Sequence, residues 1–360
     1  MSTNSRMKFR GSKDWFYCPA EAMQSELDVM DERLELVAIN AFGLDVLTDS
    51  KRLVDQLRQF DEFTRGHAQR RSYGRLYYVT EAENHRPIPN PSGGLGLVEM
   101  SSDPADTVYD PMTGVAVINA WDRFTSMESL ALGMFSYQRA REGYFGVHAA
   151  LLCRDGKGYV LMGKARTGKT TCALALAAYG YDLLSDDWVE LTRTDQGYAA
   201  LPATPAVAID SATFAELQER YERYHGLDST GFVSYGKLMM PMRYFNPGWS
   251  NAEPLQIEKV LFLDNEGALD EITVVQFLDF QKLTNPHTPF MNVPDDLPVR
   301  AALLASERLA EGIQDIQTVK RGYNEFLAAF LRGNAGRAAR FRNKDYTIDK
   351  AARVIGEQFA

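Results

Sequence analysis

Two glycines, a lysine and a threonine in the middle of the chain have the spacing of a phosphate-binding loop. The pattern is Gly163-x4-Gly168-Lys169-Thr170. The apolar run before it, residues 159–162, predicts a buried strand, and the alanine-rich run after it predicts a helix that ends near Gly180. The first amides of a helix lack partners within the helix, and the helix dipole favours an anion there. The sequence therefore predicts a strand, a phosphate-binding loop and a helix in succession.

A nucleoside triphosphate with Mg²⁺ is the ligand that this pattern predicts. The glycines let the backbone fold around the phosphates, Lys169 is expected to reach the β- and γ-phosphates, and the Thr170 hydroxyl is expected to hold Mg²⁺. The predicted nucleotide-binding residues are Gly163, Lys164, Ala165, Arg166, Thr167, Gly168, Lys169, Thr170 and Thr171. A glycine turn that merely precedes a helix is the alternative, and the fitting strand and helix disfavour it.

A second candidate site is the adjacent pair Asp186 and Asp187. The length of chain between Lys169 and the two aspartates suits a crossover connection that returns the chain beside the strand before the loop. Neighbouring side chains on a strand point to opposite faces of the sheet. At the end of a strand such a pair can still serve two roles, with one carboxylate toward the metal ion and the other toward the acceptor. Mg²⁺ prefers oxygen ligands, and a carboxylate at the γ-phosphate can accept the proton of an acceptor hydroxyl. Two solvated turn aspartates are the alternative, which the flanking apolar residues disfavour because bare carboxylates are costly in a buried strand.

A third candidate is His148, which lies inside the apolar stretch 144–152. A turn signal at 155–158 predicts that this stretch forms a hairpin with the strand 159–162. On its own, such a histidine is more often a satisfied core residue. In the predicted hairpin its strand borders the strand before the loop, and the imidazole then lies in the same neighbourhood.

The spacing of apolar residues predicts the other main elements. Strands are predicted over 34–48, 75–79, 182–191 and 257–263, a hairpin over 108–120, and helices over 52–63, 125–141, 212–224 and 298–331. The segment 226–250, rich in glycine, proline, methionine and aromatic residues, is interpreted as a mobile loop. Its Lys237 and Arg243 are expected either to close over phosphates or to remain solvated.

Composition limits the classes of protein to which the chain can belong. The 360 residues suggest about two domains, which we divide near residue 142. The net charge of -9 argues against a general affinity for nucleic acid or acidic membranes, and no apolar run reaches the ~18 residues of a membrane span. The first ten residues do not resemble a signal peptide, and three scattered cysteines fit a reducing cytoplasm.

The three candidate sites, in this order, resemble the HPr kinase/phosphorylase family. The resemblance is carried by Val147-His148-Ala149-Ala150-Leu151-Leu152, by residues 158–176, and by Gly180-Tyr181-Asp182-Leu183-Leu184-Ser185-Asp186-Asp187. The loop followed by a double aspartate is also similar to ATP-dependent phosphoenolpyruvate carboxykinase. The resemblance implies an α/β fold, with a P-loop nucleotide-binding domain of this type and a mixed sheet over residues 142–360. The elements predicted before it indicate a smaller N-terminal α+β domain, residues 1–141, which the resemblance does not cover.

The resemblance also implies a role for each matching residue. Lys169 contacts the phosphates, and Thr170 and Asp187 serve the metal ion. Asp186 is the base toward the acceptor hydroxyl, and His148 tunes the protonation of that carboxylate.

The sequence departs from the family in two places. Lys164 and Arg166 stand where the family's loop usually has small residues, and Arg166 is interpreted either as a charge that stabilises the transition state or as a solvated side chain. The family's later Glu-Ile-Arg-Gly-like signature is not recognisable, so the resemblance does not extend to the family's protein substrate or to reverse phosphorolysis.

Residues 320–353 carry a basic excess, interpreted as a solvated helical face or as a docking surface for an acidic partner or another subunit.

The sequence thus predicts a cytoplasmic ATP- and Mg²⁺-dependent kinase that transfers the γ-phosphate to a hydroxyl. The acceptor is a serine or threonine of a peptide or protein, or a small molecule. Two alternatives stay open: a carboxykinase-like small-molecule enzyme, and a nucleotide-gated switch in which ATP hydrolysis drives a conformational change. The expected partners are ATP and the acceptor, with homo-oligomers left open and neither a membrane nor nucleic acid expected.

Overall fold

The structure of the chain, a computed structural model, consists of two units. It describes residues 6–7, 15–16, 34–39, 43–64, 73–79, 106–110, 114–119, 124–163, 166–204, 206–227, 232–234, 236–247, 254–264, 273–274, 307–334, 338–342 and 347–359. The first unit comprises Met1–Glu62, Gln69–Glu142 and Thr288–Gly322, and the second comprises Phe63–Ala68, Gly143–His287 and Tyr323–Ala360. The two domains predicted from the sequence stay a prediction.

A five-stranded mixed sheet is the centre of the first unit. The elements of this unit are β1 (Arg6–Met7), β2 (Trp15–Phe16), β3 (Glu35–Ile39), β4 (Leu44–Thr48), α1 (Lys51–Thr64), β5 (Gly74–Val79), β6 (Asp106–Asp110), β7 (Val115–Asn119) and α2 (Phe124–Arg141). The strand order is β3-β4-β5-β7-β6, parallel among the inner three strands and antiparallel at both edges, while β1 and β2 pair with each other. Ser50 caps α1 because its hydroxyl accepts a hydrogen bond from the Leu53 amide. The predicted hairpin over 108–120 and the helices over 52–63 and 125–141 are confirmed.

A larger mixed sheet organises the second unit. Its strands are β8 (Phe145–Val147), β9 (Ala149–Arg154), β10 (Lys157–Gly163), β11 (Asp182–Ser185), β12 (Val189–Thr194), β13 (Gly197–Pro202), β17 (Leu255–Asp264), β18 (Thr273–Val274) and β19 (Ala338–Arg342). The order is β11-β9-β10-β17-β13-β12-β8, with β19 pairing β17 and β18. The pairs β10–β17 and β17–β19 are parallel and the other pairs are antiparallel. The predicted α/β class with a mixed sheet is therefore confirmed.

The remaining elements of the second unit are helices and a small antiparallel sheet. They are α3 (Lys169–Ala178), β14 (Ala206–Ile209), α4 (Ser211–Arg220), a 3-10 turn (Glu222–Tyr224), β15 (Phe232–Ser234), β16 (Lys237–Pro241), α5 (Met242–Phe245), and α7 (Ile348–Phe359). The long helix α6 (Glu307–Gly333) begins in the first unit and ends in the second. The small sheet has the order β14-β16-β15. No helix among the described residues is both long enough and apolar enough to cross a membrane.

Helix α3 is the centre of the hydrophobic core of the second unit. Residues 172–177 of this helix are all buried, and a helix that is apolar all round must be covered on all sides. The core strands β9 and β10 lie on one side, and α7 packs against it with Ile355 and Phe359. The Tyr224 hydroxyl donates a hydrogen bond to the Leu174 carbonyl. This packing fixes the N-terminus of α3, where the predicted phosphate-binding loop ends.

Three predictions about strands need correction. The predicted hairpin is confirmed as β9 and β10, but the predicted strand 144–152 breaks at His148, and the two parts pair with different strands. The predicted strand 182–191 breaks at residues 186–188, where Asp187 has a φ of 63°. The crossover does not return beside β10, because β9 already occupies that edge and β11 pairs with β9 instead.

The segment predicted as a loop also has regular structure. Residues 232–245 include β15, β16 and α5. Leu238 and Met240 of β16 are buried, which gives the small sheet an apolar face toward the core. The loop interpretation of this part of the segment is therefore wrong.

Candidate functional site

The predicted phosphate-binding loop starts at Gly163, the last residue of β10. Gly163 has a φ of 154°, and a Cβ added there would lie 2.5 Å from the carbonyl oxygen of Leu263 and 2.8 Å from Oγ1 of Thr167. No side chain fits at this point without movement of the backbone. At the other end of the loop, Gly168 has a φ of 86° and directly precedes α3. Both glycines of the sequence pattern are therefore required by the backbone geometry.

Lys169 spans the loop from the first residue of α3. Its Nζ donates a hydrogen bond to the Gly163 carbonyl at 3.0 Å, and the residue is only 4% exposed. Burial lowers the pKa of Lys169 to about 8, although the charges of Asp187 and Asp186 act in the opposite direction. An anion beside this ammonium would stabilise its charged form. The side chain is thus suited to a phosphate ligand that enters the loop.

Thr170 connects the start of α3 to the first of the two aspartates. Its hydroxyl donates to the carboxylate of Asp186, with distances of 2.9 Å to Oδ1 and 3.1 Å to Oδ2. The Ala208 amide of β14 also donates to Oδ2 at 3.3 Å. Burial raises the pKa of Asp186, which is 1% exposed, to about 7, and the charge of Asp187 adds to this effect. This carboxylate is buried beside a hydroxyl that can share a cation with it.

Asp187 faces a different environment, although it is the next residue. Its side chain is 42% exposed, and its Oδ1 lies 3.3 Å from Nε2 of His148. Burial acts to raise the pKa of Asp187, but the hydrogen bond with His148 and the charges of His148, Lys237 and Lys169 outweigh it and hold the pKa below its ordinary value. Asp187 is therefore an ionised, half-buried carboxylate. The break at His148 turns the imidazole toward it.

The bend that separates the two aspartates is held by a hydrogen-bond network that the sequence did not reveal. The Ser185 hydroxyl donates to the Trp188 carbonyl at 2.6 Å and accepts from the amides of Ala203 at 3.1 Å and Thr204 at 3.2 Å. The Thr204 hydroxyl donates to the backbone carbonyl of Asp186. A hydroxyl residue directly before the two aspartates is the sequence signal that could have pointed to Ser185. Nothing in the sequence pointed to Thr204, which lies after β13.

The structure brings together five of the predicted site residues: His148, Lys169, Thr170, Asp186 and Asp187. The two glycines shape the loop. Of the other predicted loop residues, Thr167 is buried, Thr171 is half-buried, and Arg166 is exposed with a φ of 66°. Lys164 and Ala165 lie outside the described residues.

The oxygen ligands at this site fit Mg²⁺ by their chemistry. Mg²⁺ prefers hard oxygen donors and commonly combines one or two carboxylates with phosphate oxygens and water. Thr170, Asp186 and Asp187 supply one hydroxyl and two carboxylates. The described residues contain no group of three or more His, Cys, Asp or Glu that could hold a metal by itself. The donor set therefore fits an ion that shares its ligands with a phosphate rather than one held in an all-protein cage.

The two basic residues of the segment 226–250 lie in different surroundings. Lys237 is exposed at the start of β16, and its charge acts on Lys169, Asp186 and Asp187. The Arg243 guanidinium lies 5.9 Å from the ring centroid of Tyr244. Lys237 therefore acts electrostatically on the candidate site.

Comparison with solved structures gives a distant structural likeness. No protein-family model matches the chain, and no curated protein matches it. Among solved structures, the chain is similar to the Hpr(Ser) kinase/phosphatase from Coxiella burnetii, with 16% sequence identity and a TM-score of 0.25. The match covers 44% of this chain and 92% of that chain. We rest no functional conclusion on a likeness at this TM-score.

Proposed function

We propose that the chain is an ATP- and Mg²⁺-dependent phosphotransferase that moves the γ-phosphoryl group of ATP to a hydroxyl-bearing acceptor. The observation that carries this proposal is the hydrogen bond between Thr170 and Asp186. It joins a loop with the phosphate-binding pattern to a pair of carboxylates in different environments. A loop that only bound phosphate would not need a second, accessible carboxylate beside the first.

Lys169 and the loop backbone bind the phosphates in this proposal. The Lys169 ammonium already lies across the loop, bonded to the carbonyl of Gly163. An incoming phosphate replaces this neutral acceptor with a charged one, and hydrogen bonds between charged groups are the stronger kind. Because an anion favours the charged form of a lysine, the bound phosphate keeps Lys169 protonated despite its burial.

The geometry favours dividing the roles of the aspartates in the opposite way from the family resemblance. Asp186 is buried and bonded to Thr170, so we assign Asp186 and Thr170 to the metal ion. A cation beside Asp186 offsets the burial that raises its pKa. Asp187 is ionised and its side chain is partly open to solvent, so we assign it to the acceptor hydroxyl. When bound, Mg²⁺ neutralises part of the charge on the phosphates.

The proposed transfer is a single displacement at phosphorus. The acceptor oxygen forms a bond to the γ-phosphorus, the bond from that phosphorus to the bridging oxygen breaks, and ADP leaves. The proton of the acceptor hydroxyl goes to Asp187. His148 holds Oδ1 of this carboxylate through Nε2, which leaves Oδ2 to receive the proton. His148 thus acts as a positioning residue for the base.

Transfer of label from ATP tests this function. The protein is incubated with γ-³²P-labelled ATP, Mg²⁺ and an extract of the cells that produce it, and labelled proteins and small molecules are separated. We expect a labelled product that the parent protein forms and the Lys169→Met variant does not. Lys157→Met is the matched control, because Lys157 starts the same strand that ends at Gly163 and forms an ion pair with the half-buried Glu258. If inorganic phosphate is the only labelled product, the chain is not a phosphotransferase, and the nucleotide-gated switch is the better description.

A further inference from the structure

Lys237 is joined to the candidate site through the small sheet. It is the first residue of β16, directly after Gly236, which has a φ of 71°. In this sheet β16 pairs with β14, with Met239 opposite Ala208. The amide of the same Ala208 donates to the carboxylate of Asp186. The strand that carries Lys237 is therefore one strand away from a backbone contact with the buried aspartate.

The charge of Lys237 acts on every titratable group that we assign to the nucleotide. Burial is the strongest influence on the pKa values of Lys169, Asp186 and Asp187, and in addition the positive charge of Lys237 lowers the pKa of each of them. Its own side chain is exposed. Lys237 is thus an exposed cation at the start of the strand that pairs with β14, whose Ala208 amide contacts Asp186. The Lys237 ammonium is also available to an anion that enters between the two carboxylates and the loop.

The other end of the same segment is fixed to the core. After β16, the chain forms α5, and the Phe245 carbonyl accepts a hydrogen bond from the Arg223 guanidinium at 2.7 Å. Arg223 also donates to the carbonyl of Ala177 near the end of α3. The Asn246 side chain donates to the carbonyl of Leu183 in β11 at 3.1 Å. The segment is thus anchored to the helix that follows the phosphate-binding loop and to the strand that precedes the aspartates.

We propose that Lys237 is a second phosphate-binding lysine, whose ammonium contacts the γ-phosphoryl group on the side of the carboxylates. This inference rests on the proposed function. Lys169 reaches the phosphates from the start of α3, whereas Lys237 approaches from β16, beside Asp186 and Asp187. The γ-phosphoryl group is the part of ATP that must lie beside these carboxylates, because the metal ion and the acceptor both meet it there. Lys237 then offsets negative charge from the carboxylates and from the group in transfer.

Two commercial nucleotides that differ in the γ-phosphoryl group test the inference without knowledge of the acceptor. Calorimetric titrations with Mg-AMP-PNP and Mg-ADP are made on the parent protein, Lys237→Met, Lys237→Arg and the control Lys157→Met. Loss of a charged phosphate contact is expected to weaken Mg-AMP-PNP binding by about ten- to a hundredfold in Lys237→Met. Binding of Mg-ADP should change by less than about twofold, which is small beside the loss of a charged contact. Lys237→Arg should keep most of the preference for Mg-AMP-PNP, and Lys157→Met should match the parent.

The outcomes separate this inference from the function on which it rests. If the parent protein binds neither nucleotide, the proposed function fails and the role of Lys237 fails with it. If the parent binds both, and Lys237→Met either changes neither affinity or weakens both equally, the function stands and the inference is wrong. Lys237 is exposed, so the variants are expected to fold, and Lys237→Gln provides a second neutral variant if Lys237→Met does not.

Discussion

The hydroxyl of Thr170 donates a hydrogen bond to the buried carboxylate of Asp186 at 2.9 Å. Thr170 belongs to the first turn of α3. Asp186 comes directly after β11, the strand that follows this helix in the sequence. The bond therefore closes the strand–loop–helix segment onto the bend that carries both aspartates. It is also the reason that we assign the metal ion to Asp186 and the proton of the acceptor to Asp187.

This assignment predicts different effects for the two conservative variants. Asp187→Asn removes the group that receives the proton, and general base assistance is typically worth ~10²–10⁴ in rate. We expect transfer of ³²P to fall by about that factor while the affinity for Mg-ATP stays close to that of the parent. Asp186→Asn should instead raise the concentration of Mg²⁺ needed for half-maximal transfer. Calorimetric binding and transfer rates over a Mg²⁺ series measure both effects.

Asp182→Asn is the matched control for these variants, since Asp182 is an exposed aspartate at the start of the same strand, β11. It should leave the affinity, the Mg²⁺ dependence and the rate unchanged. The opposite pattern, with a lost rate in Asp186→Asn and a raised Mg²⁺ requirement in Asp187→Asn, would return the roles to those implied by the family resemblance.

The loop and the elements beside it were predictable from the sequence, whereas the contacts that bring the aspartates to the loop were not. The loop at Gly163, its flanking strand and helix, and the hairpin before it have signals that are contiguous along the chain. The bend at Asp187 requires a positive φ at a residue that is not glycine, and the sequence pattern favoured a continuous strand there. The contact of the Ala208 amide with Asp186 depends on strands that are far apart in the sequence. Predictions based on local periodicity do not include such pairings.

Loss of the loop lysine should abolish tight nucleotide binding without unfolding the protein. In Lys169→Met the charged contact with the phosphates is missing, which should weaken Mg-ATP binding by on the order of 1.5–3 kcal/mol. The fold should persist because a methionine of similar length fills the buried space without a charge to desolvate. Calorimetric titration gives the affinity, and circular dichroism gives the fold. Unchanged affinity in a folded variant, with Lys157→Met as the reference, would rule out the loop as the phosphate site.

A methyl group at Gly163 should damage the loop more than the same change at a glycine in open space. Gly156, in the turn between β9 and β10, has a φ of 74° and no atom within 4 Å of an added Cβ. Gly156→Ala should therefore destabilise the protein only through its backbone conformation, by roughly 1–2 kcal/mol. Gly163→Ala also drives a Cβ to 2.5 Å from the Leu263 carbonyl oxygen, which should add ~1–3 kcal/mol.

Urea unfolding and Mg-ATP titration of these two glycine variants provide the measurement. Gly163→Ala should lose both stability and nucleotide affinity, while Gly156→Ala should bind Mg-ATP as the parent does. Equal losses of stability in the two variants would mean that the loop moves freely to accept a side chain.

The buried carboxylate of Asp186 should make the ligand-free protein less stable as the pH rises. Its pKa is about 7 in the folded protein and 3.8 when unperturbed, because burial disfavours the charged form. Between these values the folded state holds the proton more tightly than the unfolded state. The free energy of unfolding therefore decreases as the pH rises from about 4 to about 7. Asp186→Asn cannot ionise and should lack this decrease.

We accordingly expect Asp186→Asn to be more stable than the parent at pH 7.5, by on the order of 1–3 kcal/mol, with the difference vanishing near pH 4. Urea unfolding with EDTA and without nucleotide measures it. The pKa of Lys169 lies near 8, so this group stays mainly protonated in a series that ends at pH 7.5 and is present in both proteins. Asp182→Asn, at an exposed aspartate, is the matched control and should follow the pH dependence of the parent.

Mg²⁺ in place of EDTA should reduce the advantage of Asp186→Asn, because a cation beside Asp186 stabilises the ionised carboxylate. If parent and Asp186→Asn show the same pH dependence, Asp186 is not held in the buried position that the structure gives it, and its assignment to the metal ion loses its basis.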